Sequence, residues 1–544
     1  MKSPTLLLGA LSSYAGLATC ADSSSTWSGW GGSILNNHWA QTNTVVSSSN
    51  IASLTLQCKI PYPVGENAPP SIVGNYAYYP TFNGSFVALN YKTCQVKWAI
   101  NVTQIIADFA PITPLQAIAN VAVSRTSPQI DAVNNVLYFG TQIHALLVAV
   151  DLNTGALLGR TQVNPHELAT ITSSPTLYNG LLFVGVSSGE ENAAFFTGGT
   201  YPCCSFIGNA AAFRFTRNGN TSSGTFTTVW NVTTIPTNAP TNGSGQWSGA
   251  GIWGSQPSVD VGRGQVFFAT GNIYSIPDAY IPCSESDDPS CLPPYIWQES
   301  VFALDIYTGH AKWVRRLNKL DAWTLVCGAT GIPQNETLCP WKPGNDSDFG
   351  MAPSFIPASK YTCSGKDMLT VGQKSGVLYG LAAADGSVLW SSMTTPGSAL
   401  AGLSWGAAAD DQSAYYTGIN FENAPWVLQP QNTTTVNNSI FGAASLADGS
   451  ILWQTPAPIA NLSLVVPAVV GDLLLTGNTG PYAFASPGPG TLIAIKKATG
   501  QIVFQYPLEG AFQGGIAVQD NYIFLGTGYK GGSGGNFYVF KVNS

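Results

Sequence analysis

The chain has 544 residues and a net charge of −7, with only 9% charged residues, against about 25% in an average soluble domain. No basic run occurs, which argues against a nucleic-acid partner. The 4 histidines show no metal spacing, and no CxxC or CxxCH is present, so neither a zinc knuckle nor a covalently attached haem is supported.

In chain order, residues 1–21 read MKSPTLLLGALSSYAGLATCA. Lys2, the apolar run Leu6 to Ala18 and the small exit at Thr19-Cys20-Ala21 predict a signal peptide, with the mature chain starting near Asp22. Residues 22–544 are then expected to form one domain. Asn83, Asn101, Asn220, Asn231, Asn242, Asn335, Asn345, Asn432, Asn437 and Asn461 each begin an Asn-X-Ser/Thr sequon, which predicts a secreted glycoprotein. No segment has 18 uninterrupted apolar residues, so no membrane span is expected. A small-molecule substrate and a monomer are expected.

Oxidising export makes disulfides the default. Spacing points to Cys58–Cys94, Cys283–Cys291 and Cys327–Cys339, although sequence leaves the connectivity open. Cys203 and Cys204 are neighbours, and a bond between them would close a strained eight-membered ring. Cys363 is left odd.

From Ala88 onward one phrase keeps returning: a small apolar pair, a turn ending in Thr-Gly or Asp-Gly, then a hydrophobic run closing on Trp. It reads ALNYKTCQVKW at Ala88–Trp98, AVDLNTGALL at Ala149–Leu158, ALDIYTGHAKW at Ala303–Trp313, LAAADGSVLW at Leu381–Trp390, ASLADGSILW at Ala444–Trp453 and AIKKATGQIVF at Ala494–Phe504. A degenerate copy starts at Ala212. Each copy predicts strand, tight turn, strand. Repetition at roughly 40–80 residues in an all-β chain predicts propeller blades. Seven phrases and the closing FYVFKV give about eight four-stranded antiparallel blades with negligible helix. The last strand is expected to pair with the segment Trp27–Trp39, closing the ring and hiding its edge. Three irregular stretches, Phe196–Ser205, Pro277–Trp297 and Leu320–Asp348, are expected to wall a pocket on one face.

The phrase A-x-D-x-x-T-G-x-x-x-W resembles the tryptophan-docking repeat of quinoprotein dehydrogenases, eight-bladed propellers that bind pyrroloquinoline quinone (PQQ). WGGSILNNHWA, VSSGEE, YPCCSFIG, GIWGSQPSVD, ATGNIYS, DAWTLVCG, DFGMAPS, GQKSGVLYGL and GTGYKGG look most similar to the polyvinyl alcohol dehydrogenase-like branch. The resemblance implies a calcium ion beside the quinone, held by Glu191, Asn272 and Asp321. It implies Asp321 as general base toward the alcohol, Lys374 as the cation on the quinone oxygens and Trp253 stacked under the ring. Asn420 is implied as a further polar contact. The Cys203-Cys204 pair falls later than in methanol dehydrogenase-type members, after the Glu motif. No haem motif is present, so electrons would leave to an external acceptor.

Two other readings use the same scaffold. One is a cofactor-free fungal natural-product cyclase, similar to the hetero-Diels–Alderases of tropolonic sesquiterpenoid pathways, which would orient a reactive pair in an aromatic cavity. The other is a non-catalytic cell-wall or carbohydrate-binding propeller. All three follow from likeness of scaffold, and a scaffold hosts many functions.

Overall fold

The computed structural model describes residues 27–219, 222–286, 288–328, 339–340, 342–458, 462–481, 488–531 and 534–543. The signal-peptide reading and the sequons at Asn220, Asn335 and Asn461 lie outside the described residues. The seven remaining sequon asparagines are all exposed.

The repeats build an eight-bladed β-propeller. Seven antiparallel sheets follow chain order, with innermost strands Ser71–Val73, Gln129–Asp131, Thr176–Tyr178, Ser258–Asp260, Ser354–Ile356, Ala407–Ala409 and Ala468–Val470. The eighth holds Ala517–Gln519, Tyr522–Gly526 and Asn536–Lys541, and is completed by Thr55–Pro61. That last pairing corrects the expected closure. Thr55–Pro61 supplies the outer strand, not the segment Trp27–Trp39.

Trp27–Trp39 instead runs past the innermost strands. Its carbonyls accept in turn from successive blades: Ile34 O from Val259 N, Leu35 O from Phe355 N, Asn37 O from Ala409 N and His38 O from Val469 N. Trp27 O accepts from Ile72 N of the first blade. A segment rich in Gly and Asn can turn this way because those residues tolerate unusual backbone angles; Asn36 and His38 sit at φ 52° and 51°. It ties non-neighbouring blades together at the centre of the ring.

Blade docking follows from the repeated phrase. Trp98, Trp230, Trp313, Trp390 and Trp453 each donate their indole N–H to a carbonyl of the next blade, at 2.9–3.1 Å. Each ring lies against the turn glycine of that blade: Gly155, Gly309, Gly386, Gly449 and Gly500, all with φ between 68° and 75°. A Cβ on any of them would meet its Trp within 3.0 Å. The Gly thus supplies both the positive φ of the turn and the flat seat for the ring. Aromatic pairs continue the interface, as with Tyr79 stacked on Phe537 at 3.8 Å and Phe86 on Phe139 at 4.5 Å.

Short helices interrupt the sheets at Val102–Ala107, Pro114–Ala119, Glu190–Phe196 and Ile281–Ser284. The three pairs expected from spacing form, Cys58–Cys94, Cys283–Cys291 and Cys327–Cys339, and the neighbours Cys203 and Cys204 are bonded to each other. Cys363 is a free thiol. No helix among the described residues is long and apolar enough to cross a membrane.

Candidate active site

In a propeller the segments that enter innermost strands meet near the axis, so residues far apart in sequence can face one another. Trp253 and Asp348 each lie a few residues before an innermost strand. Lys374 follows strand Met368–Gly372, and Asn272 follows Gln265–Ala269.

Lys374 is the centre of the cluster. Its Nζ donates to Asp346 Oδ2 at 2.7 Å and to Asp348 Oδ2 at 3.0 Å. The same ammonium lies 5.3 Å from the ring centroid of Trp253 and 6.0 Å from that of Trp323, close enough for a cation–π contribution. Trp253 Nε1 donates to Asp348 Oδ2 at 3.0 Å. Trp253 in turn meets Trp405 edge-on at 5.4 Å. Asp348 Oδ1 accepts from the backbone N–H of Asn272 at 2.5 Å.

Glu191 joins through charge. It lies in the first turn of helix Glu190–Phe196, and Lys374, Asp348 and Glu190 all act on its carboxyl. Burial pushes that carboxyl up to about 8, against the pull of Lys374. Its Oε1 is shielded from solvent without a hydrogen-bond partner. The neighbouring Glu190 has another task. It accepts from Tyr201 Oη at 2.7 Å, Ser205 N at 2.8 Å and Phe206 N at 3.0 Å, tying down the Phe196–Ser205 loop.

Asp321 accepts from Ser347 N at 2.9 Å through Oδ2 and from Asp346 N at 3.3 Å through Oδ1. It therefore positions the segment carrying Asp346 and Asp348. Glu299 is fully buried beside it, with the Asp321 charge acting on its carboxyl. Burial, with the Asp321 charge, holds the Glu299 carboxyl well above its usual range. Asp346 is also pushed well up by burial, while Lys374 pulls the other way. Burial works against the Lys374 charge, yet Asp346 and Asp348 outweigh it and keep the ammonium protonated.

The five principal residues expected from sequence thus meet in one linked network. Asn420 does not take part. Its Nδ2 donates to Ala424 O at 2.7 Å and its Oδ1 accepts from Ala424 N at 3.0 Å, so both ends of the amide close its own loop. Sequence reading missed Glu299, Asp346 and Asp348. Asp348 stood inside DFGMAPS, a stretch singled out for likeness. Only its placement just before the innermost strand Ser354–Ile356 marks it.

The donors left over suit a hard cation in kind. Glu191 Oε1 has no partner. Asn272 spends its amide N–H groups on Ile273 O and Trp323 O, at 3.1 and 2.6 Å, which leaves its oxygen as an acceptor. Among the described residues no three Asp, Glu, His or Cys side chains gather tightly enough to hold a metal by themselves. A cation here would therefore need Asn272 as well as carboxylate oxygens.

Beside the cluster, reached through Trp405, lies a pocket. Trp30, Arg125, Leu464 and Tyr529 are among its walls.

Eight such blades around a Trp-floored, lysine-centred acidic cluster define a dehydrogenase-type propeller. Residues 45–329 match the family described as PQQ: glucose/ethanol/alcohol dehydrogenase, β-propeller domain. The chain belongs to that family. Residues 436–541 also match the family described as outer membrane protein assembly factor BamB. Polyvinylalcohol dehydrogenase from a Pseudomonas species is 29% identical over 437 residues, covering 79% of this chain and 59% of that protein. The enzyme of the same name from Sphingopyxis sp. (strain 113P3) is 29% identical, covering 72% and 54%. The chain thus spans little more than half the length of these relatives.

Among solved structures, a europium-containing methanol dehydrogenase superposes with TM-score 0.63 at 16% identity, covering 95% of this chain and 98% of its own. The quinohemoprotein alcohol dehydrogenase ADHIIG of Pseudomonas putida HK5 gives 0.67 at 15%, covering 95% and 80%. These two likenesses concern the fold.

Proposed function

We propose that the protein is a secreted alcohol dehydrogenase that uses PQQ and calcium. The observation that carries this reading is Lys374, held by Asp346 and Asp348 over the ring of Trp253. A flat anionic ring needs an aromatic floor and a fixed cation at its oxygens, and this arrangement supplies both. Glu191 and Asn272 would hold the calcium ion, and Lys374 and Trp253 the quinone. When bound, that pair supplies a two-electron acceptor and the charge that favours its reduction.

The chain's own residues handle the proton. Asp321 Oδ1 has one long backbone donor at 3.3 Å, and takes the alcohol's hydroxyl proton. Glu299, fully buried beside Asp321, sets a second carboxyl next to that proton. Trp253 and Trp405 shield the reacting centre from water.

The test is direct. The purified protein, given PQQ and calcium, should gain the quinone's absorbance and reduce a redox dye when supplied with primary or secondary alcohols. Chelator should remove both. Full activity in chelator with no bound quinone would sink the reading. The cofactor-free cyclase reading has one observation in its favour: Trp30, Trp405 and Leu464 already wall an aromatic cavity. It predicts no response to chelator.

A further inference from the structure

The pocket has a second chemical pole that the lysine-centred cluster does not use. Tyr529 also lines it, just after strand Tyr522–Gly526 of the closing blade. Arg125, which enters the second blade, places its guanidinium 6.0 Å from the Tyr529 ring centroid. Lys530 Nζ lies 5.2 Å from the same ring. Both cations therefore lie close enough to act on the phenol by charge. Phe82 packs edge-on against the ring at 5.1 Å, fixing its orientation.

We propose that Tyr529, clamped between Arg125 and Lys530, is a proton-exchanging group of this pocket that takes a hydroxyl proton from a bound alcohol and returns it. The step balances simply. The ligand O–H bond breaks, the proton forms the phenol O–H, and the ligand is left as its oxyanion beside Arg125; the reverse step restores both. The inference needs neither quinone nor calcium.

The electrostatics agree with the geometry. Burial alone pushes the Tyr529 phenol up, but Arg125 and Lys530 outweigh it and hold it below its ordinary value. Phe82 is apolar, and Asn67 and Gln513 in the pocket wall are neutral. Glu66, the acid nearest in sequence to that wall, is fully buried, and burial pushes its carboxyl well up. Elsewhere burial pushes Tyr78, Tyr91 and Tyr379 up to about 12.

The experiment is a tyrosinate absorbance titration of the full chain, with Tyr529→Phe as the reference. That substitution keeps the ring and its Phe82 contact. The wild type should show one ionisation ahead of the main tyrosine transition, absent from Tyr529→Phe and moved to higher pH in Arg125→Gln. Saturating benzyl alcohol should move that midpoint to lower pH, because its hydroxyl donates to the phenolate. Superimposable wild-type and Tyr529→Phe titrations would overturn the proposal. So would a midpoint that ignores benzyl alcohol. Neither readout requires turnover, so the proposal can fail while the dehydrogenase reading stands, and the reverse.

Discussion

The indole Nε1 of Trp253 donates to Asp348 Oδ2 across 3.0 Å, although 95 positions separate the two residues. The bond joins the floor of the site to the carboxylate that also grips Lys374. Replacing Trp253 by Phe keeps an aromatic floor and removes the donor. Turnover should fall by about tenfold or more, the scale of one lost charged hydrogen bond at roughly 1.5–3 kcal/mol. Steady-state kinetics beside a melting curve would check this. A Tm fall large enough to account for the loss would contradict it.

Removing Lys374 is a different experiment. Lys374→Met leaves Asp346, Asp348 and Glu191 without their cation in a buried setting. Leaving one partner of a buried pair uncompensated costs about 3–5 kcal/mol. Thermal unfolding should show that loss at neutral pH, with partial recovery in acid as the carboxyls take up protons.

Asp321→Asn should abolish alcohol oxidation under the proposed reading, because the amide cannot take the proton. The amide oxygen can still accept one of the two backbone bonds from Asp346 and Ser347, so the fold should persist. Circular dichroism and dye reduction on the same sample separate the two effects. Residual turnover near wild type would remove Asp321 from the chemistry.

The blade-docking argument is tested by two glycines with similar backbones. Gly449 at φ 74° would put a Cβ 2.6 Å from the Trp390 ring, whereas Gly74 at φ 57° has nothing within 4 Å. Gly74→Ala should cost about 1–2 kcal/mol, the strain of a left-handed backbone alone. Gly449→Ala should cost clearly more, because it also unseats the ring. Equal costs in denaturant titrations would mean that the Trp seat contributes nothing.

His38 gives a pH prediction. Burial lowers its pKa to about 3, and its Nδ1 has no partner. The unfolded chain binds a proton below about 6.5 while the folded one does not. Stability from this residue is thus complete above pH 6.5 and is lost as pH falls toward 3, by at most about 1.4 kcal/mol per unit. His38→Asn, which tolerates the same backbone angle, should flatten that acid limb. Parallel limbs in the two proteins would count against it.

The turn phrases carried the fold because their chemistry is local. Thr-Gly or Asp-Gly between apolar runs forces a strand pair, and the Trp that follows needs a Gly seat one blade on. Counting them was enough to predict eight blades, and cysteine spacing was enough for the pairs Cys58–Cys94, Cys283–Cys291 and Cys327–Cys339. The ring closure was not local. Trp27–Trp39 and Thr55–Pro61 both lie near the start of the repeats, and only long-range pairing made the second an edge strand and the first a tie across the centre. The cluster divides the same way. Glu191, Trp253, Asn272, Asp321 and Lys374 matched named positions of recognisable motifs, whereas Asp348 stood in one such stretch without being marked, and Asp346 and Glu299 lie outside any motif. Their roles come from burial and from the approach of blades far apart in the chain, which single-sequence patterns do not encode. Asn420 shows the converse, since a motif can supply a polar side chain while the folded loop consumes both of its hydrogen-bonding ends.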